Sequence, residues 1–356
     1  MPSIKEVARK AGVSIATVSR VVTNSATVEK DTKDRVLKAI QELNYVPNLL
    51  ARGLKERKGG FVGLVLAEIS HEFFSSVINH VEDSISRFGF TLILANTKGL
   101  IPDTETRIVH KLLGRKIDGL ILLSPFVNEQ MFHTLRDSTV PLVLFDCYQD
   151  SEDSCRVLLD DYGAGRLAGE HLASLGHRNC FCITGPWNQF VSQQRLKGFL
   201  DALADQSITL EGRHIFKGDF EFASGRAAAR AIIQNKLPVT AIWAQNDLMA
   251  IGAMSELQRR GVRVPDQISV VGMDNLVQSE FCTPRLTTVN QPIKEMATRA
   301  VELLLEIRDG KTDGRQLVVF KPELVVRDST RAVKRPDLSP SPSQIHDQKG
   351  GDELPA

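Results

Sequence analysis

The sequence predicts a small all-α helix-turn-helix headpiece and a further short helix, followed by a two-lobed α/β core of doubly wound parallel sheets. Three observations carry this expectation. Residues 3–24 read as two short amphipathic helices around a glycine turn. The excess positive charge of a nearly neutral chain lies in the first 58 residues. From Phe61 onward, apolar runs of strand length alternate with amphipathic stretches of helix length.

Ser3 and Glu6 have the Ser-x-x-Glu spacing of a capping box. Ile4, Val7, Ala8 and Ala11 give the helix that follows one apolar face. Gly12 suits the tight turn because it takes a positive φ without steric cost, and Ser14 is placed to cap the next helix. On that helix Val18, Val21 and Val22 turn inward, leaving Ile15, Ala16, Thr17, Ser19, Arg20 and Asn24 partly or wholly outside. A helix-turn-helix has this spacing and sends its second helix into the DNA major groove. Any helical hairpin with a glycine turn shares the spacing, and charge decides between the two readings. Residues 1–58 hold 12 Lys+Arg against 6 Asp+Glu, whereas the whole chain is +1. Such an end faces a polyanion. A third helix is expected from Asp31 to Leu43, a break over residues 44–48, a short helix from Leu49 to Lys55, and a charged linker through Gly60.

In the core, strands are expected at 61–67, 90–95, 117–123, 140–145, 156–159, 179–184, 213–217, 239–244 and 268–273, with final strands near 317–326. Helical stretches at 74–88, 104–115, 164–175, 195–204, 224–234 and 247–260 fall between them. These are too many units for one sheet, and Asp160–Gly165 reads as the crossing between two. Doubly wound sheets bind ligands at the carboxyl ends of their strands, and two facing sheets make a cleft. From Arg331 the composition turns to serine, proline and charge, which buries too little surface to order a chain. The expected organisation is a headpiece at 1–46, a hinge and linker at 47–60, a core at 61–330 and a disordered tail at 331–356. Within the core, lobe 1 takes 61–160 plus 292–328 and lobe 2 takes 161–290.

Hydrophobic content of 42% and charged content of 24% are those of a globular protein. The apolar runs fall far short of a membrane span. No apolar signal core opens the chain, so a cytoplasmic location is expected. The five cysteines have no zinc spacing and read as reduced thiols; no metal and no cofactor is expected. No nucleophile elbow, phosphate loop or Gly-x-Gly-x-x-Gly fingerprint is present, and His71, His110 and His171 are isolated in the sequence. The expectation is that the chain is not an enzyme.

Specific motifs recur in a fixed order along residues 3–328. They are Ile4–Val22, the connector Asn44-Tyr45-Val46-Pro47-Asn48-Leu49-Leu50-Ala51-Arg52-Gly53-Leu54, Gly169-Glu170-His171-Leu172 with Gly176-His177, and Gly185-Pro186 with Arg195 and Gly198-Phe199. Gln245-Asn246-Asp247, the run Ile268–Asn275, the run Pro284–Val289 and Gln291-Pro292 complete the series. In these the chain resembles the bacterial lactose/galactose-repressor (LacI/GalR) family of transcriptional regulators. The resemblance implies a DNA headpiece, a hinge helix and a periplasmic-binding-protein-like core. It also implies a dimer or tetramer of identical chains on a near-palindromic double-stranded operator, controlled by a small molecule in the cleft. Residues 331–356 lack the leucine heptads of the family's tetramers, so a dimer is expected.

By the same resemblance Ile15, Ala16 and Arg20 are the base-reading positions, Arg20 being able to bond guanine bidentately. Ser3, Ser14, Thr17, Ser19, Thr32, Tyr45 and Asn48 are expected on phosphates, with Asn24 beside them. Leu54 resembles the hinge leucine that wedges into the minor groove. For the effector the resemblance gives Asp146, Arg195, Asn246 and Asp274 as polar contacts. Phe73, Phe74, Trp187 and Phe220 are the aromatic candidates, although Phe74 equally suits the core. Asp160 and Asp247 read as loop caps or inter-lobe contacts. Gly218–Glu221 with Ser224-Gly225 resembles the purine- and ribose-responsive branches, but Gln189 and Val191 depart from the purine branch. A sugar or sugar derivative is therefore the expected effector. A nucleobase-responsive corepressor-type or activating regulator, and a sugar-binding protein without a DNA role, are the alternatives.

Overall fold

The computed structural model describes residues 2–23, 28–45, 60–69, 71–97, 102–115, 117–124, 129–148 and 154–333. The hinge at 47–59, Asn24, Asn48, Leu54 and the tail from 334 lie outside the described residues. The chain divides into two compact units, Met1–Val157 with Ile293–Val318, and Leu158–Pro292 with Val319–Ala356. No helix among the described residues is long and apolar enough to cross a membrane.

The headpiece is α1 (Ile4–Ala11), α2 (Ile15–Thr23) and α3 (Lys30–Glu42). The Glu6 carboxylate accepts the Ser3 N–H at 2.6 Å, one arm of the capping box. Gly12 ends α1 in the left-handed region, φ 66°, and the Ser14 hydroxyl accepts the Thr17 N–H at 3.1 Å to start α2. Val7, Ala8, Ala11, Val18, Val21, Val36 and Ala39 form one buried cluster, the face set by the helical spacing.

The rest of the first unit runs β1 (Phe61–Leu66), α4 (Glu72–Ser86), β2 (Thr91–Asn96), α5 (Pro102–Leu113), β3 (Gly119–Leu123), α6 (Glu129–Arg136), β4 (Leu142–Phe145) and β5 (Cys155–Leu159). The second continues with α7 (Asp161–Ser174), β6 (Cys180–Thr184), α8 (Phe190–Ala204), β7 (Ile215–Lys217), α9 (Phe222–Gln234), β8 (Ala241–Ala244), α10 (Asp247–Arg259), β9 (Ser269–Asp274), α11 (Gln278–Phe281) and β10 (Thr287–Asn290). The chain closes with α12 (Ile293–Arg308), β11 (Leu317–Phe320) and β12 (Glu323–Val325).

Two six-stranded sheets result, ordered β11-β5-β4-β3-β1-β2 and β12-β10-β9-β8-β6-β7. Strands β1 to β4 pair in parallel, as do β6 to β10 along the second sheet. Strands buried on both faces read as continuous apolar runs, and β3 and β6 are buried at every position. Helix α12 presses on β3 so closely that a Cβ on Gly119 would lie 2.8 Å from Leu304. In the second unit Phe181, Ile183, Ile242, Val270, Met249 and Leu257 anchor the buried cluster between sheet and helices.

The chain passes to the second unit at 157/158, and the Asp160 carboxylate accepts the Gly163 N–H at 2.8 Å to start α7 at Asp161. The structure departs from the sequence reading at three places. Strand β10 is hidden in the sequence because its buried Thr287 and Thr288 break the apolar pattern. Residues 317–326 do not return to one lobe. β11 joins the first sheet, whereas β12 pairs antiparallel with β10, so 319–328 belong with the second unit. Finally, the chain is held as far as Val333, whose N–H donates to Leu175 O at 2.9 Å, while Arg331 is ion-paired to Asp266.

All five cysteines are free thiols; Cys147, Cys155, Cys180 and Cys182 are buried. Burial pushes the Cys180 thiol up to about 12, the behaviour of a packing residue rather than a reactive one.

Candidate nucleic-acid and effector sites

On α2, burial of Val18 and Val21 turns the opposite face outward. Ile15, Ala16 and Arg20 are exposed, Ile15 at 45%, and Thr17 and Ser19 are half-buried. An apolar residue standing in water at the first position of a short helix contributes nothing to the headpiece core. Ser3 and Ser14 are exposed but already serve as helix caps, and the Ser14 and Thr17 hydroxyls lie 2.9 Å apart. Thr32 is half-buried and accepts from Arg35 at 3.4 Å, and Tyr45 packs against the headpiece core.

In the first unit Phe73 and Phe74 lie in the first turn of α4, after β1. Their rings meet edge to face at 5.3 Å, with His71 6.0 Å from Phe74. The His71 ring accepts the Phe73 N–H at 3.3 Å and caps that helix. Asp146 follows β4 with φ 49°, its N–H donating to Val157 O at 2.8 Å.

The carboxyl edge of the second sheet collects the remaining candidates. Arg195 on α8 is buried, and its Nε donates to Asp161 Oδ1 at 2.6 Å. One of its terminal nitrogens donates to Gln245 O at 2.9 Å, and the Phe220 ring lies 5.9 Å from the guanidinium carbon. Asn246 caps α10, accepting the Met249 N–H at 2.9 Å, while its Nδ2 donates to Phe220 O at 2.7 Å. Asp274 ends β9 and accepts from Gln291 Nε2 at 2.6 Å. Trp187 stands apart from these, 47% exposed, with the Lys217 ammonium 5.0 Å from its ring centre. Phe220 and Asp274 adopt positive φ, 70° and 113°. A phenylalanine there is uncommon and is tolerated where surrounding bonds fix it.

Sequence reasoning missed the residues that hold these in place. Gln245 is fully buried, its Oε1 accepting the Gly185 N–H at 2.8 Å and its Nε2 donating to Ser192 O at 3.0 Å. Asp161 and Gln291 were equally unmarked, although Gln245 and Gln291 lie in the motifs that carry the resemblance. Asp160 is a helix cap, one of the roles expected of it. Asp247 is buried and accepts the Leu276 N–H at 2.8 Å and the Thr288 hydroxyl at 2.6 Å. Burial, then the charge of Asp274, pushes the Asp247 carboxyl well above the ordinary carboxylate range. Among the described residues no cluster of His, Cys, Asp and Glu is arranged to hold a metal.

Residues 3–48 match the model of bacterial regulatory proteins of the lacI family, and residues 170–330 match a periplasmic binding protein-like domain. The HTH-type transcriptional repressor PurR of Vibrio vulnificus (strain CMCP6) is 35% identical over 334 residues, 94% of this chain and 100% of that protein. The chain belongs to the LacI family. A second PurR, from Aliivibrio fischeri (strain ATCC 700601 / ES114), is 36% identical over 92% of this chain and 98% of its own length. Among solved structures, the lac repressor dimer bound to operator and the anti-inducer ONPF superposes with a TM-score of 0.83 at 28% identity, covering 93% of this chain and 99% of that one. The transcriptional regulator CelR–cellobiose complex gives 0.71 at 32%, covering 92% and 100%. As a LacI-family member with this headpiece and core, the chain is a DNA-binding transcriptional repressor and not an enzyme.

Proposed function

We propose that this repressor holds a near-palindromic operator as a cytoplasmic homodimer, and that a sugar or sugar derivative bound at the carboxyl edge of its second sheet changes its grip on DNA. The observation that carries the effector reading is the Arg195 guanidinium, fixed by Asp161 and Gln245 beside the Phe220 ring. A polyol presents paired hydroxyls and weakly apolar C–H faces. A fixed guanidinium, the Asn246 amide, the Asp274 carboxylate and an aromatic ring complement both.

For DNA, the reading assigns Arg20 to a guanine edge, and Ile15 and Ala16 to thymine methyls. Ser3, Ser14, Thr17, Ser19, Asn24, Thr32, Tyr45 and Asn48 position the headpiece on the backbone, and Leu54 wedges into the minor groove. The relatives named PurR favour a second reading, a nucleobase acting as corepressor; Gln189 and Val191 weigh against it.

The test is fluorescence anisotropy of the full chain on DNA from upstream of its own gene and neighbouring genes, with a panel of sugars, sugar phosphates and nucleobases. Release by a sugar supports the first reading, and tightening by a nucleobase supports the second. Absence of binding to any such DNA at low salt, where phosphate contacts are strongest, rejects the regulator reading for these sites.

A further inference from the structure

Helix α8 begins at Phe190 with Gln189 as its N-cap, yet the Gln189 side chain makes no capping bond and the first turn has no acidic residue. In the same unit α7 and α10 are capped by the side chains of Asp160 and Asn246, whereas α9, like α8, has no side-chain cap. The backbone N–H groups of Val191 and Ser192 find no acceptor among the described residues. Two first-turn N–H groups of a 15-residue helix are therefore unmatched.

A second, independent observation lies in the same turn. Ser192 is 2% exposed, and its hydroxyl has no hydrogen-bond partner among the described residues. Buried hydroxyls are normally partnered. This one faces Gly185, where a Cβ would lie 2.5 Å from it, at the start of the loop that leads into the helix. The Phe220 ring edges the same glycine. The turn cannot drift, because Gln245 Nε2 holds the Ser192 carbonyl at 3.0 Å.

Two cations stand nearby. Arg195 follows Ser192 by three residues, on the same helical face. Lys217 ends β7 in register with Thr184, and its ammonium lies over Trp187 of that same loop. Helix-end N–H groups, a hydroxyl and cations together are the recognition set of a tetrahedral oxyanion. We infer that the effector carries a phosphoryl group, seated at the amino-terminal turn of α8 with Ser192 as one of its donors. The inference rests on the effector reading above and narrows it to phosphorylated metabolites.

Isothermal titration of the full chain with inorganic phosphate, and with glucose 6-phosphate against glucose, tests it. Phosphate binds the wild type, and Ser192→Ala weakens that binding about tenfold, the usual effect of losing one hydrogen bond to a charged group. Ser192→Asp abolishes binding by occupying the site with a carboxylate. Tm is measured for both variants, and because a buried carboxylate is costly, a folded Ser192→Ala carries the test if Ser192→Asp loses stability. Phosphate binding that is absent in the wild type, or equal in Ser192→Asp, overturns the inference. An uncharged sugar or nucleobase that shifts operator affinity while every phosphorylated probe is inert overturns it too, and leaves the effector reading standing. If no compound of either kind shifts operator affinity, both readings fall.

Discussion

Gly165 and Gly198 face each other across the α7–α8 crossing. A Cβ on Gly165 would lie 2.0 Å from the carbonyl oxygen of Arg195, and one on Gly198 would lie 2.0 Å from that of Tyr162. The same arrangement recurs between α9 and α10, where Gly225 meets Met249 O at 2.0 Å and Gly252 meets Phe222 O at 2.2 Å. In each case the carbonyl belongs to the residue three before the facing glycine. At these four glycines the helices meet backbone to backbone, a geometry that Cα–H···O contacts reinforce. Gly198→Ala must push α8 off α7 and is expected to cost about 3 kcal/mol, the upper range for overpacking. Gly212→Ala, with open space around it, is expected to stay within about 0.5 kcal/mol. Urea denaturation midpoints of the two variants compare them directly.

That crossing also sets the Arg195–Asp161 pair. Both side chains are out of water, at 5% and 0% exposure. Removing one partner strands a buried charge at a cost of about 3–5 kcal/mol. Asp161→Ala should therefore lower stability by that order. The double variant Arg195→Met with Asp161→Leu should recover most of the loss without recovering any effector response. Recovery of both properties would detach Arg195 from ligand binding.

In the headpiece, helix stability and base reading separate. Ser14→Ala removes the cap of α2 and should cost about 1 kcal/mol of headpiece stability. Arg20→Ala leaves that cap alone and should weaken operator binding by about 1–3 kcal/mol, concentrated at one base pair. Melting curves and anisotropy titrations on single-substituted operators distinguish the two. Equal weakening on every operator variant would make Arg20 a phosphate contact.

Glu256 is a buried carboxylate under four guanidiniums. Arg230, Arg226, Arg260 and Arg259 approach at 3.0, 3.0, 3.3 and 3.7 Å. Hydrogen bonds from Arg230 and then Arg226 pull its carboxyl down to about 2, from an ordinary 4.5. A depressed carboxylate stabilises the fold fully above its unfolded value and ceases to do so as pH falls through its folded value. Wild type should exceed Glu256→Gln in stability above pH 4.5, and the gap should close as pH approaches 2. Denaturant titrations across that range measure it; a gap that widens in acid contradicts the assignment.

The headpiece was legible because its signals are local. A capping box, a left-handed glycine, a serine cap and a valine stripe all fall within 20 residues. The parallel sheets were legible because strands such as Gly119–Leu123 are buried throughout. Two features were not. Thr287 and Thr288 make a buried strand polar, one hydroxyl meeting Thr330 at 3.1 Å and the other Asp247 at 2.6 Å. A hydroxyl destined for such a partner looks like a loop residue in sequence. Strand β11 alternates exposed Leu317 and Val319 with half-buried neighbours, a pattern that fits the edge of either sheet. At the candidate effector site, the residue types were readable but their bonds were not. Asp161 and Arg195 are 34 residues apart, and Gln245 is 50 beyond Arg195; only the topology brings them together.

The chain passes between its two units at 157/158, 292/293 and 318/319, and this dictates the order in which a ribosome can deliver a finished molecule. The headpiece is contiguous and built from near-neighbour contacts, so it can fold while the rest is still being made. The first sheet cannot close at that stage. Strand β11, which flanks β5, and α12, whose Leu304 seats on Gly119, are both translated after the entire β6–β10 segment. The nascent repressor therefore carries a folded DNA reader ahead of an open sheet edge while residues 160–316 are made. A truncated product ending between residues 160 and 317 would retain the headpiece without a completed lobe to regulate it.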